Sequence, residues 1–297
     1  MLPTWYDEYK KIIDESIDKY LDLYFTREEL VKGLVQFKEA VFYSVKGGKR
    51  VRAILALEFY LIFTGKKISE LKFNDDIILY CISLELLHAY SLVHDDLPCM
   101  DNDEYRRGEL TVWNKYSENT AVLVGDLLNS MSFEILSDLS DDVDVKIILG
   151  YYGRSVGLFG MLGGQVLDLY YENHFEQLDL VKLIDVHNKK TGTLIEASIV
   201  GGIIISDKFD DINKYMEFGK KIGLAFQVKD DLLDVTGSLS QTGKSVGGEH
   251  KGFVYFLGEE KSKNYLDQLI KDCHDLIIPL NSDKLNFLVS YIGNRNK

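Results

Sequence analysis

Along most of the 297-residue chain, apolar side chains recur every three or four positions, while strict apolar–polar alternation is scarce. The first spacing is that of a helix with one buried face, and the second is that of a half-buried strand. Proline, which breaks helices, occurs only as Pro3, Pro98 and Pro279. The pattern predicts an all-α protein of about ten or more helices, most of ordinary length or longer. Residues 4–44 read as two amphipathic helices with a break near Thr26, where TREE resembles a capped helix start; packing is the role assigned to them. Residues 77–93 form an apolar stretch broken mainly by Glu85 and His88, as in a helix buried on all sides. The run IVGGIII at 199–205 has the composition of a strand, but its helical flanks argue for a buried helix. No Pro/Gly/Ser-rich linker, long charge block or solenoid-period repeat interrupts the chain. A single domain spanning residues 1–297 is therefore expected.

Charge narrows the range of functions. Forty-seven acidic residues against 34 basic ones give a net charge of −13. This argues against nucleic acid, which calls for a basic footprint, and against an anionic membrane surface. It also makes each local basic cluster more informative. The three cysteines, Cys81, Cys99 and Cys273, form no C-x-x-C pair, so free thiols in a reducing compartment are expected. MLPTWYDEYKK lacks an apolar signal core, and no uncharged run reaches spanning length. The expectation is a soluble, cytoplasmic protein.

Two acidic clusters stand out. HAYSLVHDDLPCMDNDEYRRG at 88–108 gathers Asp95, Asp96, Asp101, Asp103 and Glu104, followed by Arg106 and Arg107. Carboxylates this close raise one another's pKa, and a hard divalent cation removes the conflict. Mg²⁺ takes few protein carboxylates, keeps waters and completes its shell with phosphate oxygens, which the arginines grip bidentately. Taken alone, the stretch reads equally well as a solvated acidic loop. The second cluster, FQVKDDLLD at 226–234, adds Asp230, Asp231 and Asp234, and helical spacing puts Gln227, Asp230 and Asp234 on one face. Two such clusters, about half the chain apart, suggest facing walls of one polyanion site.

DDLPCMD followed by RRG, and DDLLD preceded by FQ, resemble the first and second aspartate-rich motifs of the trans-isoprenyl diphosphate synthases, most of all bacterial farnesyl diphosphate synthases. The likeness runs from about Gly47 to the C-terminus with the motifs in the family's order. It implies the isoprenoid synthase fold, a helical bundle around a central cavity, and a homodimer. It also implies Mg²⁺, up to three ions, with Mn²⁺ as an alternative. Asp95, Asp96, Asp101, Asp230, Asp231 and Asp234 are the implied metal ligands. The substrates are isopentenyl diphosphate and an allylic diphosphate, dimethylallyl or geranyl, and the expected products are farnesyl diphosphate and pyrophosphate.

The remaining site residues follow from the same likeness. GGKRVR at 47–52 matches GGKRxRP, with Ala53 in place of the proline; Lys49 and Arg52 are implied to hold the diphosphate of isopentenyl diphosphate, and His88 to contact it. Glycines before a helix leave amides free for an anion, although an isolated GGKR also reads as a basic surface turn, and His88 as a core histidine. His94 is assigned a structural role. Tyr90, five residues before Asp95, lies roughly 7–8 Å below that carboxylate along a helix, and in the family an aromatic there, with a small residue next (Ser91), goes with a C15 product. It is also a core tyrosine. Lys190 and Thr191 of a KTG motif are implied at the allylic diphosphate, and Arg106, Arg107, Gln227 and Lys244 are further implied substrate-binding positions. An ammonium and a hydroxyl near a break between helices suit phosphate oxygens. Gln165 and Asp168 are expected behind the residues that touch substrate.

The chain also departs from the family. Leu110 and Trp113 stand where a proline and a histidine are usual, and in TGKSVGGEHKGFVYFLG at 242–258 Glu249 replaces an aspartate and the spacing shortens by two or three residues. The basic tail, with Arg295 and Lys297, resembles one that closes over isopentenyl diphosphate, or is a frayed terminus. Three alternatives remain open. One is a geranyl or geranylgeranyl diphosphate synthase of the same family. Another is a terpene cyclase, which has no need of Lys49, Arg52 and His88 for a second diphosphate. The last is a weakly active or non-catalytic partner subunit, which only the 242–258 departure supports.

Overall fold

The computed structural model describes residues 2–26, 32–209, 212–236 and 252–295. Lys244, Glu249, Lys251 and Lys297 lie outside the described residues, as does the TREE run beyond Thr26. Contacts group the chain into two compact units, Met1–Leu57 with Gly65–Val145, and Glu58–Thr64 with Lys146–Lys297.

The first unit is built on one buried helix. Helices α1 (Thr4–Phe25) and α2 (Lys32–Val45) precede α3 (Val51–Thr64), whose first half belongs to this unit. Next comes α4 (Asp76–Asp95), which contacts α1, α2 and α6 (Glu118–Glu134). Short α5 (Val112–Lys115) precedes α6. By length and hydropathy α4 is able to cross a membrane, yet most of it is buried inside the unit, the position of a core helix. Side chains stitch it in place: the Ser83 hydroxyl donates to the Ser132 carbonyl at 2.6 Å, and the Cys81 thiol to the Ala53 carbonyl at 3.3 Å. Helix α1 shows the expected one-sided pattern, burying Tyr6, Tyr9, Ile13, Ile17, Tyr20 and Leu21.

Between α4 and α5 lies a hairpin too short to read from alternation. Strands β1 (Tyr105–Arg106) and β2 (Glu109–Leu110) pair antiparallel, with Tyr105 opposite Leu110 and Arg106 opposite Glu109. The turn residues Arg107 (φ 55°) and Gly108 (φ 83°) both have positive φ, as a type I′ turn requires.

The second unit continues through α7 (Val145–Val156), α8 (Met161–Asn173), α9 (Leu180–His187), α10 (Thr193–Ile205), α11 (Ile212–Thr236), α12 (Phe253–Leu257), α13 (Glu259–Ile277) and α14 (Asp283–Asn294). The IVGGIII run is helical, and α10 is buried from Leu194 to Ile204; burial on every side overrides its β-branched composition. Helix α11 packs on α10 and α13. The approach is close: a Cβ on Gly223 would stand 2.9 Å from the Gly192 Cα, and one on Gly219 3.1 Å from the Glu196 Cα. Phe59 of α3 packs edge-on against Tyr215 at 5.3 Å.

Candidate active site

In the first unit the chemistry gathers where α4 ends. Asp95 is its last residue and Asp96 its cap. The loop then folds back so that the Asp101 amide donates to the Asp95 carbonyl at 2.9 Å, which places two carboxylate-bearing residues side by side. Thr111 Oγ1 and Trp113 Nε1 both donate to the Asp103 carbonyl at 2.9 Å, so Trp113 fastens this loop. Asp96 is buried and accepts the Arg106 Nε on both oxygens, at 2.7 and 2.9 Å. Its carboxylate orients an arginine. The hairpin presents that arginine and, next to it, Arg107.

A basic cluster adjoins the hairpin. Gly47 and Gly48 both have positive φ, at 74° and 90°, and the Arg107 guanidinium lies over Gly48, where a Cβ would come within 3.1 Å of Nη2. Arg107 also donates to the Lys46 carbonyl at 3.2 Å. The backbone of Lys49 is held by the Tyr6 hydroxyl. Arg50 points inward to Asp14 at 2.8 Å, Glu85 at 3.1 Å and the Val45 carbonyl at 2.6 Å. Arg52 behaves differently: its Nε is buried with no hydrogen-bond partner, and burial lowers its pKa against the pull of Glu85. Burial also holds His88 well below the usual imidazole range, and Arg52, Arg107, Arg50 and Arg106 push the same way. A neutral imidazole among four guanidiniums is a receptor for an anion. Arg106 and Arg107 of the hairpin line a cavity of about 460 Å³, with Tyr43, Lys46, Leu92 and Asp96 among its other walls.

Tyr90 lies one turn before His94 and is 7% exposed. Burial raises its pKa first, with Asp95 and Asp126 adding to the shift, so the phenol lies within the field of the first aspartate.

In the second unit, residues 188–192 form a turn of π-helix that runs from α9 into α10 without interruption. Sequence reasoning expected a break there; the widened turn does the same work by turning Lys190 and Thr191 out of the helical register. Lys190 Nζ pairs with Asp168 at 2.8 Å, and Thr191 Oγ1 donates to Gln227 Oε1 at 2.9 Å. Gly164 makes this possible, because a Cβ there would stand 2.3 Å from the Lys190 amide nitrogen. On α11, Asp230 accepts from Arg295 Nη2 at 2.6 Å, and Asp231 accepts from the Phe253 amide at 2.6 Å. Asp234 is exposed. Arg295 is buried, stacked 3.7 Å above the Phe226 ring, and does not fray. The Gln165 amide is buried with neither end hydrogen-bonded.

The motifs picked out by sequence therefore sit at structured element ends. The partners that orient them, Asp168 to Lys190 and Arg295 to Asp230, were not read as pairs. They are 22 and 65 residues apart, and no local spacing signals them.

The polyprenyl synthetase family model matches residues 35–251. The chain belongs to that family. A farnesyl diphosphate synthase from Micrococcus luteus is 39% identical over 87% of this prenyltransferase and 89% of its own length. The large subunit 1 of a heterodimeric chloroplastic geranylgeranyl pyrophosphate synthase from Arabidopsis thaliana is 35% identical over 99% of the chain and 81% of its own. The crystal structure of a geranyltransferase from Helicobacter pylori, complexed with magnesium and isoprenyl diphosphate, superposes with a TM-score of 0.81 at 33% identity, covering 99% of this chain and 98% of that one.

Magnesium is bound in that geranyltransferase structure, and the donor set of this chain suits the same ion. Both acidic motifs offer only carboxylate oxygen, the ligand of hard cations. Among the described residues, no group of three or more His, Cys, Asp or Glu side chains gathers as a ready-made cage. A cation held by one or two carboxylates, with waters and phosphate oxygens completing its shell, matches such a site.

Proposed function

We propose that the protein condenses isopentenyl diphosphate with dimethylallyl and then geranyl diphosphate, giving farnesyl diphosphate and pyrophosphate. One observation carries this reading: a buried Arg52 Nε that lacks a partner, in the same basic cluster as His88, whose pKa burial and the nearby arginines lower. A buried donor without an acceptor is costly, and a diphosphate oxygen supplies the acceptor. A terpene cyclase, with a single diphosphate to bind, has no use for this second pocket.

In this reading Lys49, Arg52, His88 and Arg107 bind isopentenyl diphosphate. Lys190, Thr191, Gln227, Arg106 and Lys244 bind the allylic diphosphate, with Asp168 and Asp96 orienting Lys190 and Arg106. Asp95, Asp101 and Asp230 are the principal metal ligands, supported by Asp96, Asp231 and Asp234. Bound Mg²⁺ (up to three ions, with Mn²⁺ a substitute) neutralises charge on the departing pyrophosphate. Apolar walls keep water from the allylic cation. The double bond of isopentenyl diphosphate attacks that cation, and the proton then lost goes to pyrophosphate, so the chain supplies no general base. Tyr90 is the floor that limits the product to fifteen carbons.

The proposal extends to one catalytic domain over residues 1–297, a cytoplasmic location and a homodimer. The test is to incubate the protein with Mg²⁺, isopentenyl diphosphate and dimethylallyl or geranyl diphosphate and to size the products. A C15 product supports the proposal. A C20 product makes it a geranylgeranyl diphosphate synthase, and no product makes it a non-catalytic partner.

A further inference from the structure

His94 is held between α4 and α6 within the first unit. Its ring meets the Tyr90 ring edge-on, with centroids 5.1 Å apart and planes at 77°. Its Nε2 lies 3.0 Å from the Val122 carbonyl of α6. On the same side the ring presses on Gly125, where a Cβ would fall 2.1 Å from Nε2 and 2.3 Å from Cδ2. No side chain larger than hydrogen fits at residue 125 while His94 stays where it is. The two rings are four residues apart on α4, neighbours on one helical face, so whatever fixes His94 also limits Tyr90.

We propose that His94, wedged between Gly125 of α6 and the Tyr90 ring, is a positioning residue that sets product length by holding that ring in place. The inference rests on the reading of Tyr90 as the floor of the chain pocket. A tyrosine ring turns about two side-chain torsions, and its edge-to-face partner restricts them. Removing the imidazole vacates the space beside Tyr90, and the ring swings into it. The floor then drops, and an allylic chain that has reached fifteen carbons accepts another unit. His94 itself touches no substrate in this account.

The test compares product lengths of the full-length protein and its His94→Ala, His94→Phe and Tyr90→Ala variants. Each is given Mg²⁺, dimethylallyl diphosphate and excess isopentenyl diphosphate, and turnover is recorded in parallel. His94→Ala should raise the ratio of C20 to C15 product by about two- to tenfold, the population change that an aromatic pair controls. His94→Phe, which keeps a ring, should stay near the parent. If Tyr90→Ala lengthens the product and His94→Ala does not, the inference fails while the floor assignment stands. If neither lengthens it, the floor assignment fails and the inference with it. Lengthening by His94→Ala but not by Tyr90→Ala shows that His94 does not act through Tyr90, and this too overturns the inference. So does lower turnover at an unchanged ratio, which marks an effect on neighbouring Asp95. Should His94→Ala not fold, Gly125→Ala carries the test: its methyl displaces the imidazole, an altered C20:C15 ratio is expected, and an unaltered one overturns the inference.

Discussion

Arg50 and Arg52 sit two positions apart in one basic motif and do opposite things. Arg50 is 7% exposed and closes a buried ion pair with Glu85, with Asp14 alongside. Arg52 keeps a donor unspent. Breaking a buried pair from one side leaves the other charge uncompensated, so Arg50→Ala should lower stability by about 3–5 kcal/mol, read as a shift in the urea midpoint. Glu196 on α10 is the other buried charge with consequences. Burial pushes its carboxyl up to about 7, against the pull of Lys220. The folded chain therefore keeps a proton that the unfolded chain has already lost near pH 4.5, so stability falls as pH rises through that interval and levels off above it. The loss amounts to about 3 kcal/mol. Unfolding curves from pH 4.5 to 8 should show this decline, and Glu196→Gln should flatten it; an unchanged slope would remove Glu196 as its source.

The helices were legible because burial of one face imposes a 3.6-residue period, and α4 and α10 were legible because they are apolar all round. The hairpin 105–110 was not, since two residues per strand give no alternation to detect. The π turn at 188–192 was not legible either, because it keeps the helical sequence pattern and changes only the hydrogen-bond register. Its packing is what makes it specific. Gly164→Ala would drive a methyl into the Lys190 backbone, which cannot swing aside as a side chain does. A cost of about 1–3 kcal/mol is expected, seen as a lower thermal midpoint together with a higher KM for the allylic diphosphate. An unchanged midpoint and KM would show that α8 and the π turn move apart freely.

Across the whole molecule the net charge of −13 makes its concentrations of arginine conspicuous. Motif order carried the family assignment, while the pairings that aim each side chain needed tertiary structure. Asp96 illustrates the gap. As one of a run of aspartates it reads as a metal ligand, and its pairing with Arg106 through both oxygens could not be read from the sequence. The account depends on carboxylates from both acidic motifs acting with magnesium. The most direct test is steady-state turnover of Asp95→Ala and Asp230→Ala with saturating Mg²⁺, isopentenyl diphosphate and geranyl diphosphate. A fall of orders of magnitude in both variants is the predicted result, and full activity in either one would contradict it.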